Sequence, residues 1–162
     1  MTIPQLVQLG DLNLLWLTMW AEGRGDSAEG HSSVEERIAI GCVIRNRVKA
    51  VNRFDNSYVH VCLAPRQFSC WGTLGGEMNN KTLMTLAQQV FDLAVPISDP
   101  LCLETLYLAQ GIIGGQLLDR TGGSLFYVTA ALAASPSAPA WVHGVPVADR
   151  LAIGSQVFMK NA

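Results

Sequence analysis

Apolar runs with helical spacing alternate along the chain with short polar and glycine-rich segments, and this pattern predicts a mainly helical protein. The first helix is expected to begin near Asp11, whose side chain can cap it, and to end at about Glu22. Gly23 follows, as glycine commonly follows a helix C-terminus. Because residues 12–21 carry no charge, this helix is predicted to lie in the core.

The second helix is predicted to lie at the centre of the fold. Ser33 and Glu36 have capping-box spacing and mark its start. Residues 38–44 include no charged side chain, which is typical of a helix surrounded by other elements. Its end collects cations, which suit the negative end of the helix dipole: Arg45, Arg47 and Lys49.

Two further helices are predicted in the middle of the chain. Pro96 ends the third, whose apolar residues have helical spacing: Leu83, Leu86, Ala87, Val90 and Ala94. The fourth is expected to start at Asp99 and Pro100 and to finish at a cluster of glycines: Gly111, Gly114 and Gly115. Residues 52–79 contain Pro65 and several glycines, and are predicted to be irregular.

The last part of the chain changes to β-prone residues. Residues 125–129 are predicted to form a strand, and residues 151–159 a segment that can pair as a strand, with a Pro/Ala/Ser loop at 133–140 between them. The predicted fold class is therefore α+β, mainly helical, with a small C-terminal β-sheet. A length of 162 residues is that of one domain, so a single domain is expected over 1–162.

Composition and charge exclude several classes of function. Apolar residues make up 49% of the chain and charged residues 15%, so a packed core is expected rather than disorder. The net charge is −2 and the charges are scattered, which predicts no nucleic-acid partner. No apolar run reaches the ~20 residues that span a bilayer, so stable membrane insertion is not expected. The start of the chain shows no signal-peptide pattern.

The cysteines and histidines predict neither a metal site nor a cofactor. Cys42 and Cys102 fall in apolar helical segments and are expected to be inert core residues. Cys62 and Cys70 flank a short loop, where a local disulfide is an open alternative. The three histidines have no zinc-ligand spacing: His31, His60 and His143.

Glu22 is the candidate for acid catalysis. Cleavage of a glycosidic bond needs a carboxylic acid that is still protonated near neutral pH, and therefore a partly apolar setting. Glu22 ends a helix that contains Trp16 and Trp20, and the glycine after it leaves room for a sugar. The ordinary alternative, a solvated carboxylate at a helix end, stays open on local sequence alone.

Four blocks of sequence follow one another in a distinctive order. They are Ala-Glu-Gly-Arg-Gly-Asp (21–26) with Ile-Ala-Ile-Gly-Cys-Val-Ile-Arg-Asn-Arg-Val (38–48), Pro-Arg-Gln-Phe-Ser-Cys-Trp (65–71), Asp-Arg-Thr-Gly-Gly-Ser-Leu-Phe-Tyr (119–127), and Trp141 with Ile153-Gly154 and Phe158. Together they resemble the SleB/CwlJ-type cell-wall hydrolases, a family that includes spore-cortex-lytic enzymes and phage endolysins. The resemblance covers roughly residues 12–158.

The resemblance implies a lysozyme-like lytic-transglycosylase fold, peptidoglycan as substrate, and Glu22 as the acid. It also implies a sugar groove lined by the second and third blocks: Gln67, Phe68, Trp71, Gly123, Ser124 and Tyr127. Loop anchoring by Phe68 and Trp71, and an ordinary strand role for Tyr127, are the alternatives. Structural roles are favoured for Arg47 and Asn46.

The chain departs from the family pattern in three places. Asp26 stands where Glu is usual, and the segment from Asp26 to Ile38 is longer than usual. Gln156 occupies a position where His is common. These differences concern the loop beside the active site and the closing sheet.

The count of carboxylates favours a lytic transglycosylase that cuts MurNAc–GlcNAc bonds. A hydrolytic muramidase needs a second carboxylate, whereas in a transglycosylase the 6-hydroxyl of the muramic acid attacks instead. The candidates for a second carboxylate have no supporting motif: Asp26, Glu29, Glu35, Glu36 and Asp119. Asp119 is interpreted as a turn-forming residue. Hydrolysis remains the alternative.

Two rival classes of function stay open. The first is an amidase or Cys/His peptidase, for which Cys62 and Cys70 lie near His60 in the sequence. The second is a wall-binding virion protein without activity. If the chain is phage-encoded, it is expected to wait in the host cytoplasm for a holin and then act at the cell wall. A monomer is expected.

Overall fold

The computed structural model describes residues 1–23, 32–72, 80–93 and 97–160, and within these ranges helices account for most of the chain. The α-helices are α1 (Ile3–Val7), α2 (Gly10–Glu22), α3 (Val34–Lys49), α4 (Tyr58–Leu63), α5 (Lys81–Asp92), α6 (Pro100–Ile113), α7 (Ala130–Ala133) and α8 (Ala140–His143). The strands are β1 (Phe126–Thr129), β2 (Arg150–Ile153) and β3 (Gln156–Met159). Two short 3₁₀ turns lie at Ser69–Trp71 and Val147–Asp149. The α+β, mainly helical fold class is confirmed.

Helices α2 and α3 form the centre of the fold, as predicted from their uncharged stretches. α2 packs against α3, α4 and α6, and each of its residues from Leu14 to Trp20 is buried. In α3 every residue from Ile38 to Arg45 is buried. Both Cys42 on α3 and Cys102 on α6 are buried, which confirms their core assignment. No helix within the described ranges is long and apolar enough to span a bilayer.

The caps of α2 and α3 differ in part from prediction. α2 starts at Gly10, and Asp11 is not its cap, because the Asp11 carboxylate instead accepts a hydrogen bond from the backbone N–H of Val59 at the start of α4 (2.9 Å). Ser33 caps α3 as expected, since its Oγ accepts from the N–H of Glu36. The Glu36 carboxylate does not complete the capping box, because it accepts hydrogen bonds from the N–H and the hydroxyl of Ser155.

Residues 52–72 are more regular than predicted. Ser57 caps α4 by accepting a hydrogen bond from the N–H of His60, and a 3₁₀ turn follows at Ser69–Trp71. α4 is only six residues long, so its apolar pattern is too short to separate a helix from a loop by sequence alone. Residues 73–79 of the predicted irregular segment lie outside the described residues.

Helices α5 and α6 largely confirm the prediction. α5 begins after Asn80, whose side chain accepts from the N–H of Leu83, and it ends at Asp92. Ala94 and Pro96, which were expected at its end, lie outside the described residues. α6 begins at Pro100 under the Asp99 cap and ends just before Gly114. Gly111 lies inside the helix rather than after it.

In the described part of the chain, three antiparallel strands form one sheet in the order β1–β3–β2. The predicted strand at 125–129 is β1, but the single predicted segment at 151–159 is a hairpin of β2 and β3. Gly154 makes this turn possible, because it has a positive φ of 59° and any side chain there would collide with the Glu36 carboxylate. The predicted loop at 133–140 is bounded by the short helices α7 and α8.

Both ends of α3 are attached to the sheet region, and this attachment positions the site described next. At the start of α3, Glu36 binds Ser155 in the β2–β3 turn. At its end, the Arg47 Nε donates to the carbonyl of Leu125, just before β1 (2.7 Å). The sheet is therefore held beside the C-terminus of α2, where Glu22 lies.

Candidate active site

Glu22 is the last residue of α2, and its carboxylate is held by groups from two distant parts of the chain. The hydroxyl of Tyr127 on β1 donates to Oε2 at 2.9 Å. The backbone N–H of Cys70 donates to Oε1 at 3.0 Å, and the Ser69 hydroxyl lies 3.5 Å from the same oxygen. The carboxylate is half-buried. It is therefore oriented by the protein while still open to a ligand.

Tyr127 is a hydrogen-bond donor to Glu22 rather than a second base. Burial, followed by the negative charge of Glu22, raises the pKa of the Tyr127 hydroxyl well above its ordinary value. The hydroxyl thus stays protonated at any pH at which the protein is expected to work. Tyr127 also packs on Phe158, with ring centroids 5.6 Å apart, which limits its movement.

A buried cation lies behind the groove. Arg47, which is 5% exposed, has its guanidinium carbon 5.0–5.8 Å from three ring centroids: Phe54, Phe68 and Phe126. Burial lowers the pKa of Arg47, while the nearby Tyr127 and Glu22 oppose that effect. Arg47 therefore contributes positive charge near Glu22 and also binds the carbonyl before β1, which agrees with the structural role expected for it.

Glu22 opens onto a groove of about 1100 Å³. Polar side chains on its walls include residues from the 65–71 block, from β1, from the β2–β3 turn and from the start of β3: Gln67, Ser69, Tyr127, Thr129, Ser155 and Gln156. A smaller cavity of about 400 Å³ shares Gln67 and Tyr127 with the groove and ends at Trp141. Among the described residues that line these two cavities, Glu22 is the one carboxylate.

The structure brings only part of the predicted substrate-binding set to this groove. Gln67 and Tyr127 line it beside Glu22. Arg66, which precedes Gln67, has a positive φ of 64°, an unusual backbone conformation that tends to occur at functional sites.

Phe68 and Trp71 lie in the core behind the groove. Phe68 is 2% exposed and packs on Arg47. Trp71 is 1% exposed, and its indole N–H donates to the Thr18 hydroxyl at 2.9 Å. These contacts are those of loop anchors, because neither ring has a face that a sugar can reach.

Gly123 and Ser124 belong to a turn outside the groove. Ser124 is buried, and its hydroxyl donates to the carbonyl of Thr121. It borders a separate cavity of about 790 Å³, which Trp141 also lines. Gly123 is exposed, has a φ of 89°, and donates its N–H to Asp119. Their place in the fold is structural, since they shape the turn that precedes β1.

Asp119 and Asn46 hold that turn on α3, as the sequence predicted for both. Asp119 accepts hydrogen bonds from the N–H and hydroxyl of Thr121 and from the N–H of Gly123. Asn46 donates to Asp119 and to the carbonyl of Ser124, each at 3.1 Å. Burial by itself raises the pKa of Asp119, but these hydrogen bonds together lower it below its ordinary value. Asp119 is thus a structural carboxylate.

Of the other candidates for a second carboxylate, two are in the described part of the chain and do not line the groove, and two lie outside the described residues. Glu36 is buried and bound to Ser155. Glu35 is exposed on the first turn of α3, 3.9 Å from Arg120. Asp26 and Glu29, like Arg24 and His31, lie outside the described residues.

The cysteines do not form a nucleophilic site. Cys62 and Cys70 are buried free thiols, so the local disulfide left open by the sequence is not formed. Burial raises the pKa of Cys62 to about 12, and burial followed by the charge of Glu22 raises that of Cys70 well above its ordinary value. His60 is exposed and pairs with Ser57. No group of three metal-binding side chains occurs among the described residues.

Sequence reasoning missed two contributors to the site. The N–H of Cys70 is a backbone donor, and a backbone donor leaves no trace in residue types. Gln156 was noted only as a departure from a family pattern, yet it lines the groove beside Tyr127. The register of β1 and β3, which a sequence does not show, brings it there.

A groove with one fixed carboxylate among its described lining residues defines a candidate acid–base site for glycan cleavage. The chain belongs to the cell wall hydrolase family, whose model matches residues 31–159. Glu22 precedes the matched segment, so its assignment depends on the geometry given above. No curated protein sequence matches the chain.

Two solved structures are similar in fold. One is the catalytic domain of the germination-specific lytic transglycosylase SleB from Bacillus anthracis, at 21% identity, with 93% of each chain covered and a TM-score of 0.56. The other is the catalytic domain of the Bacillus cereus SleB protein, at 21% identity, with 93% of this chain and 89% of that chain covered and a TM-score of 0.53. At this identity the likeness concerns the fold.

Proposed function

We propose that this protein cleaves the glycan strands of peptidoglycan as a lytic transglycosylase at MurNAc–GlcNAc bonds, with Glu22 as both acid and base. The observation that carries the proposal is the setting of Glu22, the one carboxylate among the described groove residues, fixed by Tyr127 and by the N–H of Cys70. Family membership and the fold shared with SleB catalytic domains support the class of substrate.

The first chemical step transfers a proton from the Glu22 carboxyl to the glycosidic oxygen. The bond between that oxygen and the anomeric carbon of the muramic acid breaks, and positive charge develops on the sugar. Glu22 becomes a carboxylate at this point. The hydrogen bonds from Tyr127 and Cys70 then stabilise its negative charge, and charge-assisted hydrogen bonds are the stronger kind.

In the second step the 6-hydroxyl of the same muramic acid attacks its anomeric carbon. Glu22 takes the hydroxyl proton, which returns the side chain to its starting form and closes a 1,6-anhydro ring. No water enters the balance, and no second carboxylate is needed. A hydrolytic muramidase would instead need a group to activate water, a role for which Asp119 and Glu36 are unsuited because both are bound within the fold.

The products of digestion test the proposal. Purified peptidoglycan is incubated with the protein, and released muropeptides are examined by mass spectrometry before and after borohydride reduction. We expect muropeptides that end in 1,6-anhydro-muramic acid, each lighter by one water than a hydrolysed end and resistant to borohydride. Reducible muramic acid ends would show hydrolysis, and new free amines would show amidase or peptidase action. Glycan bound without release of products would indicate a wall-binding protein.

A further inference from the structure

The side chain of Gln156 lines the groove, and its buried Oε1 has no hydrogen-bond partner among the described residues. The side chain is only 5% exposed, and its Oε1 accepts no hydrogen bond within the described part of the chain. A buried acceptor in this state is rare in native proteins, because it loses its hydrogen bonds to water without replacement. Such a residue calls for a physical reason.

The register of the sheet places Gln156 next to Tyr127, whose hydroxyl binds the Glu22 carboxylate. On β3, Gln156 and Phe158 point to the same face, and Phe158 lies opposite Tyr127 on β1. Tyr127 and Gln156 are therefore diagonal neighbours on one face of the sheet, a spacing over which side chains can bind one ligand. Both residues line the groove with Glu22.

An apolar residue at this position would make the free protein more stable than Gln156 does. The same face of the sheet carries Phe158, which is fully buried in the core. A side chain such as Met fills a similar volume and leaves no acceptor unpaired. Retaining an amide here thus costs the free protein stability, and a ligand that supplies a donor would recover that cost on binding.

We propose that Gln156 binds the glycan, with its Oε1 accepting a hydrogen bond from an N–H or O–H group of the sugar that lies beside Glu22. The inference rests on the proposed function, since it takes the groove to hold a glycan strand. The donor is either the acetamido N–H or a ring hydroxyl, and both are groups of the same strand. Gln156 then contributes to substrate affinity and takes no part in proton transfer.

The test is the pair of effects that Gln156→Met has on stability and on activity. The melting temperature of the free protein should rise by about 2–4 °C, the shift expected when a mildly unfavourable buried group is removed from a domain of this size. The value of kcat/KM on peptidoglycan should fall about 3- to 10-fold, mainly through KM, as for the loss of one hydrogen bond made in the ground state and the transition state alike. Gln110→Met, at an exposed position on α6, is the matched control and should change neither quantity.

A rise in melting temperature together with a fall in kcat/KM is the outcome that a purely structural glutamine would not produce. A fall in the melting temperature of Gln156→Met would show that the amide already has a partner in the free protein, and would overturn the inference. Unchanged kcat/KM would overturn it as well. If the loss in kcat/KM shrinks on de-N-acetylated peptidoglycan, the acetamido N–H is the donor. An equal loss on both substrates identifies a hydroxyl.

A second measurement separates this inference from the proposed function. Binding of the tetramer of N-acetylglucosamine is measured by calorimetry for wild type and for Gln156→Met. If the wild type binds the tetramer but releases nothing from peptidoglycan, the proposed function fails. In that case a 3- to 10-fold weaker Kd of the variant, roughly the effect of one hydrogen bond, still supports Gln156 as a glycan-binding residue. A wild type that neither cleaves nor binds would overturn both.

Discussion

Tyr127→Phe removes one oxygen atom from the candidate site and leaves the ring in place. The lost atom is the hydroxyl that lies 2.9 Å from Oε2 of Glu22. The ring still packs on Phe158, and the register of β1 with β3 does not depend on the hydroxyl. The N–H of Cys70 continues to hold the other carboxylate oxygen. The substitution therefore isolates one hydrogen bond to Glu22.

The expected effect follows from the change in charge on Glu22 during the reaction. A hydrogen bond to a charged partner contributes about 1.5–3 kcal/mol. In the first step Glu22 goes from a neutral carboxyl to a carboxylate, so much of this contribution is made in the transition state and little in the ground state. At about 1.4 kcal/mol for each factor of ten, kcat should fall about 10- to 100-fold, with KM little changed.

Clearing of a peptidoglycan suspension gives the rate, and the melting temperature reports on the fold. Tyr107→Phe, at a tyrosine that is 71% exposed on α6, is the matched control and should keep wild-type values of both. We expect the melting temperature of Tyr127→Phe to stay within a few degrees of wild type. Wild-type kcat in folded Tyr127→Phe would refute the reasoning. A large fall in melting temperature with unchanged specific activity would make Tyr127 a packing residue instead.

Three further predictions concern the acid, the thiols and the turn before β1. Glu22→Gln should keep its fold but lose activity by ~10²–10⁴-fold, because an amide delivers no proton; near-normal clearing would contradict this. Iodoacetamide should leave the rate unchanged, since the four cysteines are buried thiols that should be alkylated only after denaturation. EDTA should also leave it unchanged, since no group of three metal-binding side chains occurs among the described residues, and loss of activity with either reagent would contradict this. The lowered pKa of Asp119 stabilises the fold above the ordinary carboxyl pKa of about 4 and ceases to do so as pH falls through the lowered value. The melting-temperature gap between wild type and Asp119→Asn should therefore shrink as pH falls below about 4, and a gap independent of pH would contradict this.

The sequence predicted the helix ends well where the stabilising contact joins residues that are close together in the sequence. Ser33 and Asp99 cap α3 and α6 as expected, because a cap is a bond between residues two or three positions apart. The stretch of α3 at residues 38–44 was correctly placed in the core, since it has no charged side chain on any side of the helix. The hairpin of β2 and β3 was missed although its turn, Gly154 and Ser155, is a two-residue hairpin signal that the sequence does show.

The sequence by itself determined that this protein is mainly helical, with two central helices and a small sheet at its end. Its motifs also identified Glu22, Gln67 and Tyr127 as candidates. Only the tertiary structure decided how these residues meet, because Tyr127 is 105 positions from Glu22 and reaches it through the pairing of β1 with β3. The tertiary structure likewise turned Phe68 towards Arg47 and away from the groove. The direction of a side chain depends on what packs against it, and those neighbours are distant in the sequence.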